Sequence, residues 1–262
     1  MLDNPPGAAP FVSVNAIKTE LVRRGRGSPL LFLHPELGIA PGAPVLDKLA
    51  ASFDVVAPSL PGYGHTDMPR AYNSVDDLAY FTLDLMETLD LRDVVLVGVS
   101  IGGWVAAEIA TKTTERIKKL VLVNPAGIKT GGRTHRDMVD IFALPQAELE
   151  AAAFHDTKHA RFDPQAATED EVYVRLRNRE STVLFSWSPY MYNPKLLGRL
   201  HRIKVPTLVL WGAADRIAPA DYGRAYARAI PGARFETIEK AGRFPHIEQP
   251  QEFANRVAAF AA

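Results

Sequence analysis

The sequence predicts an α/β fold: a mostly parallel, eight-stranded sheet with helices on both faces and a helical segment inserted after the sixth strand. Three observations predict it. Short runs of Val, Leu and Ile alternate with stretches of helical period, the rhythm of parallel strands buried on both faces. The hexapeptide Gly98-Val99-Ser100-Ile101-Gly102-Gly103 joins one such run, Asp93 to Val97, to a helical run, Trp104 to Lys112. From about Ile128 to Arg202 the strand-like runs stop and only helical stretches remain.

Taken in order, Phe11 to Val14 and Ile17 to Arg23 alternate with a period of two and predict an antiparallel hairpin at a sheet edge. Pro29 to Leu33 is a buried strand ending at His34. Val45 to Ala51 is a short helix, and Asp54 to Ala57 is the next strand, closed by Pro58 and the loop Leu60 to Gly64. Ser74 with Asp77 three residues on marks a helix start, after which Leu78, Thr82, Leu85, Met86 and Leu89 share one face. The strand to Val97, the glycine-rich turn and its helix follow, then the strand Lys119 to Val123. Within the inserted segment, Pro145 to His155 and Thr168 to Ser186 are helical. The aromatics Phe142, Phe154, Phe162, Phe185, Trp187, Tyr190 and Tyr192 are expected to form its core, with a remainder lining a pocket against the sheet. The sheet resumes at Pro206 to Trp211. A helix from Ala220 to Ala229, a strand from Arg234 to Ile238, and a closing helix near Pro250 with Phe253, Val257 and Phe260 inward complete the chain. The implied organisation is a core in two parts, 1–127 and 203–262, around a helical cap at 128–202.

Bulk properties remove several classes of function. Lys and Arg together equal Asp and Glu at 30 each, so no net field draws in nucleic acid or an anionic membrane. Cysteine is absent, which excludes disulfides, thiolate catalysis and cysteine metal sites, and suits a reducing cytoplasm. Met1 to Pro10 is rich in Pro, Gly and Ala with no basic or apolar region of a signal peptide, and no apolar run approaches the ~18 residues of a membrane span. The expectation is a soluble, cytoplasmic protein whose partner is a small molecule; oligomeric state is not legible.

The chemistry centres on Ser100. Glycine at 98 and 102 lets the backbone double back where a side chain would collide. The serine at the apex projects its Oγ above the sheet edge, near the positive end of the next helix. Ligands of such sheets bind at the carboxyl ends of the strands, where Ser100 stands.

With His34-Pro35-Glu36-Leu37-Gly38, Leu60-Pro61-Gly62-Tyr63-Gly64, Leu210-Trp211-Gly212-Ala213-Ala214-Asp215 and Phe244-Pro245-His246-Ile247-Glu248-Gln249-Pro250, this turn resembles the α/β-hydrolase family. The likeness is to its capped serine-nucleophile branch of carboxylesterases, meta-cleavage-product C–C hydrolases and cofactor-free haloperoxidases. It covers nearly the whole chain, and only the insertion carries no motif. The resemblance implies a hydrolase with Ser100 as nucleophile and Asp215 as the acid that orients the base. The backbone N–H groups of Glu36 and Ile101 would form the oxyanion hole. The implied substrate is a small, partly apolar ester or related acyl or C–C compound, taken through an acyl-enzyme without cofactor or metal. Trp104, Arg243 and His34 would face it, His34 being alternatively an internal brace of the oxyanion loop.

Two positions depart from the family's pattern. Its base is the histidine of a Gly-His-x-Pro frame, which here reads Gly242-Arg243-Phe244-Pro245. Arginine cannot be deprotonated in a protein and takes no proton from serine. Three readings follow: hydrolysis is crippled by Arg243; His246, three residues on, substitutes as base; or the site serves ligand binding or other chemistry. His246 is alternatively a helix-start residue without a role. The oxyanion segment has Pro35 where glycine is usual, followed by Glu36, whose carboxylate needs a partner; Arg243 is the candidate.

Overall fold

The computed structural model describes residues 11–40, 43–132, 134–160 and 162–262. The Pro/Gly/Ala-rich Met1 to Pro10, read above as carrying no signal peptide, lies outside the described residues. Eight strands form one sheet in the order β1-β2-β4-β3-β5-β6-β7-β8. They are β1 (Phe11–Val14), β2 (Ile17–Gly25), β3 (Ser28–Leu33), β4 (Phe53–Pro58), β5 (Val94–Val99), β6 (Ile117–Val123), β7 (Thr207–Gly212) and β8 (Arg234–Ile238). β1 and β2 pair antiparallel, as does β2 with β4, and every other pairing is parallel. The run β3–β4 builds the sheet one way and β5–β6–β7–β8 the other. β3 and β5 are therefore neighbours at a topological switch point, where open α/β sheets form their ligand crevice.

Helices α1 (Ala43–Leu49), α2 (Val75–Thr88), α3 (Ile101–Lys112), α6 (Ala220–Ala229), α7 (Pro245–Glu248) and α8 (Pro250–Ala261) belong to the sheet layers. α1 packs on α8, and α2 on α3. The start of α2 follows from its sequence: the Ser74 side chain accepts from the Asp77 backbone N–H while the Asp77 carboxylate accepts from that of Ser74, a reciprocal capping box. Leu78, Thr82, Leu85 and Met86 are buried, Leu89 partly so, and Phe253, Val257 and Phe260 face the core from α8. α3 reads as an apolar helix because nearly every residue from Ile101 to Thr111 is buried, its alanines lying against the sheet.

Between β6 and β7 the chain forms α4 (Gln146–Ala153), α5 (Glu169–Ser186) and two short 3-10 turns, Thr157–His159 and Leu197–Arg202. Phe154 and Phe185 are buried, but Trp187 is 58% exposed, so the aromatics of this segment do not form one closed core. Among the described residues no helix is long and apolar enough to cross a membrane.

Candidate active site

β5 ends at Val99, and the chain reverses into α3 through Ser100, whose φ of 51° and ψ of −112° lie outside the ordinary range for a side-chain-bearing residue. Three backbone hydrogen bonds hold this conformation. The Ser100 N–H donates to Val123 O at 2.9 Å, and its carbonyl accepts from Ala126 and Trp104, each at 3.1 Å. The glycines are steric necessities: a Cβ on Gly98 would stand 2.3 Å from the Gly102 carbonyl oxygen, and one on Gly102 2.3 Å from that of Leu33. The sequence thus fixes one hydroxyl at the carboxyl edge of the sheet and at the N-terminus of α3, where the first-turn N–H groups, Ile101 among them, lack helical acceptors.

That hydroxyl meets Arg243. The guanidinium Nη2 donates to Ser100 Oγ at 2.7 Å, Nη1 faces Asp215 Oδ2 at 3.4 Å, and Nε faces Glu36 Oε1 at 3.4 Å. Arg243 is fully buried, and its own N–H donates to Ala153 O at 2.7 Å. One cation therefore bridges two carboxylates and the serine in a solvent-excluded space. The second Glu36 oxygen, Oε2, is buried without a hydrogen-bond partner among the described residues.

Asp215 stands just past β7. Its Oδ1 accepts from the N–H groups of Ile217 (2.8 Å) and Ala218 (3.1 Å), and Oδ2 accepts from Asn124 Nδ2 at 2.8 Å. Burial pushes its carboxyl above the ordinary range, against the pull of the Arg243 charge and these donors. Asn124 is a residue the sequence reading missed. It ends β6, takes φ of 40°, and its Oδ1 accepts from the Gly212 N–H at 3.0 Å, so one side chain ties the end of β7 to the carboxylate beyond it. The pair Asn124-Pro125 directly after an apolar strand was the available signal.

His246 is not brought to Ser100. It lies in α7 with its ring centroid 5.8 Å from that of Phe32, 6.2 Å from Phe244 and 6.1 Å from Phe253. Neither ring nitrogen has a hydrogen-bond partner, and burial lowers its pKa to about 3. The proposed substitute base is corrected on this geometry: pro-Phe spacing turns the ring into the aromatic packing beneath α7, whereas the serine's hydrogen bond comes from the residue in the frame position. His34 is likewise an internal brace rather than a ligand-facing group. Its Nε2 accepts the Leu60 N–H at 2.9 Å, which assigns the proton to Nδ1, 2.7 Å from Pro35 O, and burial lowers its pKa to about 4. It joins the loop after β3 to the loop after β4. Trp104 also turns away from the serine. Its indole N–H reaches Glu108 at 3.2 Å on the same helix, and the backbone of Gly127 packs on its ring.

A second residue beyond the reach of sequence reasoning is Glu248. Its carboxylate is buried and accepts three backbone N–H groups, from Gly242 (2.6 Å), His155 (2.9 Å) and Asp156 (2.9 Å). It fixes the residue before Arg243 and fastens the end of α4 to the core. Ser100 lines no open cavity. A cavity of about 360 Å³ opens instead beside the β6–α4 connection, walled by Lys129, His135, Trp187, Tyr190, Tyr192 and Tyr222. The Arg243 charge acts on the hydroxyls of both Tyr190 and Tyr222, so these two rings stand between the cavity and the buried cluster.

Chemically, the cluster has a hydroxyl at a helix N-terminus and a carboxylate held by four donors. At the position between them stands a group that donates protons but accepts none. Residues 30–256 match the description "Alpha/beta hydrolase family". The chain is 27% identical over 275 residues to 2-hydroxymuconate semialdehyde hydrolase of Pseudomonas sp. (strain CF600), covering 99% of this chain and 95% of that protein. It is 30% identical over 254 residues to 2-hydroxy-6-oxononadienedioate/2-hydroxy-6-oxononatrienedioate hydrolase of Paraburkholderia phymatum, covering 88% of this chain and 86% of that one. Among solved structures, the enol-lactonase from Burkholderia xenovorans LB400 has the same fold, with a TM-score of 0.76 at 23% identity over 96% of this chain and 99% of that one. A variant of the meta-cleavage product hydrolase CumD superposes with a TM-score of 0.78 at 21% identity, covering 96% and 97%. Sheet order, strained serine turn and family match agree: this chain belongs to the α/β-hydrolase family.

Proposed function

We propose that the chain is a serine hydrolase of the ester or C–C bond type whose machinery is held idle by Arg243. Ser100 is the nucleophile, Asp215 the orienting acid, and the backbone N–H groups of Glu36 and Ile101 the oxyanion donors. The substrate is a small, partly apolar acyl compound or vinylogous C–C substrate, a class supported by the names of the two relatives above, and the absence of cysteine suits a cytoplasmic setting. Acyl transfer needs a base that takes the serine proton as the C–O bond forms and returns it to the leaving group. The observation that carries the reading is the 2.7 Å hydrogen bond from Arg243 Nη2 to Ser100 Oγ. A permanently charged donor engages the oxygen lone pair that must attack, and nothing in contact with the hydroxyl takes its proton. Losing the base of such a triad lowers kcat by roughly 10⁶-fold.

The test is reaction with a fluorophosphonate probe, comparing the unaltered protein with Arg243→His. Rapid labelling and ester hydrolysis by the substituted protein alone support the proposal. If neither protein labels, Ser100 is not an activated nucleophile. If the unaltered protein labels rapidly and His246→Ala abolishes it, His246 is the base and the idle reading falls.

A further inference from the structure

Helix α5 carries its polarity inverted. A surface helix ordinarily turns an apolar stripe inward and polar residues outward. The buried face of α5 holds Asn178, Ser181, Thr182 and Ser186 beside Phe185. These polar groups bind the core's loops: Asn178 donates to Leu37 O and accepts from the Gly64 N–H, Ser181 donates to Gly62 O, and Thr182 meets the Tyr63 hydroxyl. The outward face carries Tyr173 (53% exposed), Leu176 (64%), Leu184 (46%) and Trp187 (58%), with Val183 beside them. A contiguous exposed apolar stripe on a protein surface marks a place of interaction.

The spacing of the stripe identifies the partner. Positions 173, 176, 180, 184 and 187 follow steps of three and four, the period of a helix–helix seam, over about 21 Å at 1.5 Å per residue. The series is symmetric about 180. An antiparallel copy of the same helix sets Tyr173 opposite Trp187 and Leu176 opposite Leu184, and brings Arg179 of each copy beside Glu180 of the other. Both charged residues are exposed, and neither forms an ion pair among the described residues; the Arg179 guanidinium lies 5.8 Å from the Phe142 ring centre. A two-fold interface requires such self-complementarity, of shape and of charge at its axis. An anionic lipid surface fits worse, because the first turn of α5 carries Glu169, Asp170 and Glu171 and a central charge pair gains no partner in lipid.

We propose that α5 joins this chain to a second copy of itself, as an antiparallel two-fold dimer centred on residue 180. The proposal is independent of the state of the active site.

Sedimentation velocity on the full chain tests it. The unaltered protein is expected to dimerise with rising concentration. Leu176→Glu or Leu184→Glu should raise the dissociation constant by about 30-fold or more, the scale of a central hot spot. Circular dichroism and thermal midpoint should stay unchanged, since both side chains are exposed. The decisive arm is charge complementation. Arg179→Glu alone and Glu180→Arg alone each place like charges at the axis and weaken the dimer, whereas an equimolar mixture of the two variants pairs opposite charges and restores it. The proposal is overturned by a monomer at every concentration, by a dimer indifferent to the Leu176 and Leu184 substitutions, or by variants that weaken singly but stay monomeric when mixed. Binding of the monomer to phosphatidylserine vesicles through the same leucines would also overturn it.

Discussion

Arg243 and Asp215 face each other across 3.4 Å with both side chains closed to solvent, and Glu36 stands at 3.4 Å on the other side of the same guanidinium. The cation is therefore structural as well as obstructive: it is the counter-charge for two carboxylates the fold has placed in one dry space.

Arg243→Met should expose that dependence. Leaving two buried carboxylates without their cation costs about 3–5 kcal/mol at neutral pH. Burial already raises the Asp215 pKa. The folded protein therefore holds a proton that the unfolded chain gives up, and this contribution is present at low pH and lost as pH rises through the folded-state value. Without the guanidinium the shift grows. Thermal midpoints measured from pH 4 to pH 8 are expected to fall more steeply with rising pH in the variant than in the unaltered protein.

The opposite sign holds for His246 and His34. Their folded pKa values are lowered to about 3 and about 4, so below pH ~6.5 the unfolded chain takes protons that the folded chain refuses. Stability is full above that point and declines by roughly 1.4 kcal/mol per pH unit for each histidine as pH falls. His246→Phe removes two buried nitrogens that bond to nothing. Urea titrations at pH 7.5 should show equal or greater stability, and at pH 4.5 to 6 a clear gain.

Glu248→Ala strips three buried backbone N–H groups of their acceptor. Hydrogen bonds to a charged acceptor and the desolvation of its partners set a loss of at least about 3 kcal/mol. Hydrogen exchange should quicken at Gly242, His155 and Asp156 ahead of the rest of the core.

Gly102→Ala places a methyl group against the backbone of Leu33 and His34, at 2.3 Å and 2.5 Å from their carbonyl oxygens. Neither neighbour is a flexible side chain, so the loss should exceed about 3 kcal/mol. A midpoint in urea that stays within error of the unaltered protein would contradict this account of the turn.

The sequence alone determined the strands, their parallel majority, the strained serine turn and the order Ser100, Asp215, Arg243. Each of these rests on local chemistry: β-branched runs, glycines at a reversal, a capping box, a residue type in a motif frame. α7 is the instructive failure. Its four residues hold His246 close in sequence to the frame position, and proximity along the chain suggested a base. Helix geometry decides otherwise, since the ring turns among Phe32, Phe244 and Phe253 while Arg243 takes the contact with the hydroxyl. Only the tertiary structure could supply Asn124 beneath Asp215, Glu248 behind Gly242, and Glu36 across from Arg243, because those pairs are separated by 91, 6 and 207 positions and meet through side-chain direction. Only it shows that α5 buries its amides and hydroxyls and exposes its leucines. Composition and period state how apolar a helix is; which face finds the core depends on what the core offers, and here it offers loop carbonyls and N–H groups that need hydrogen bonds.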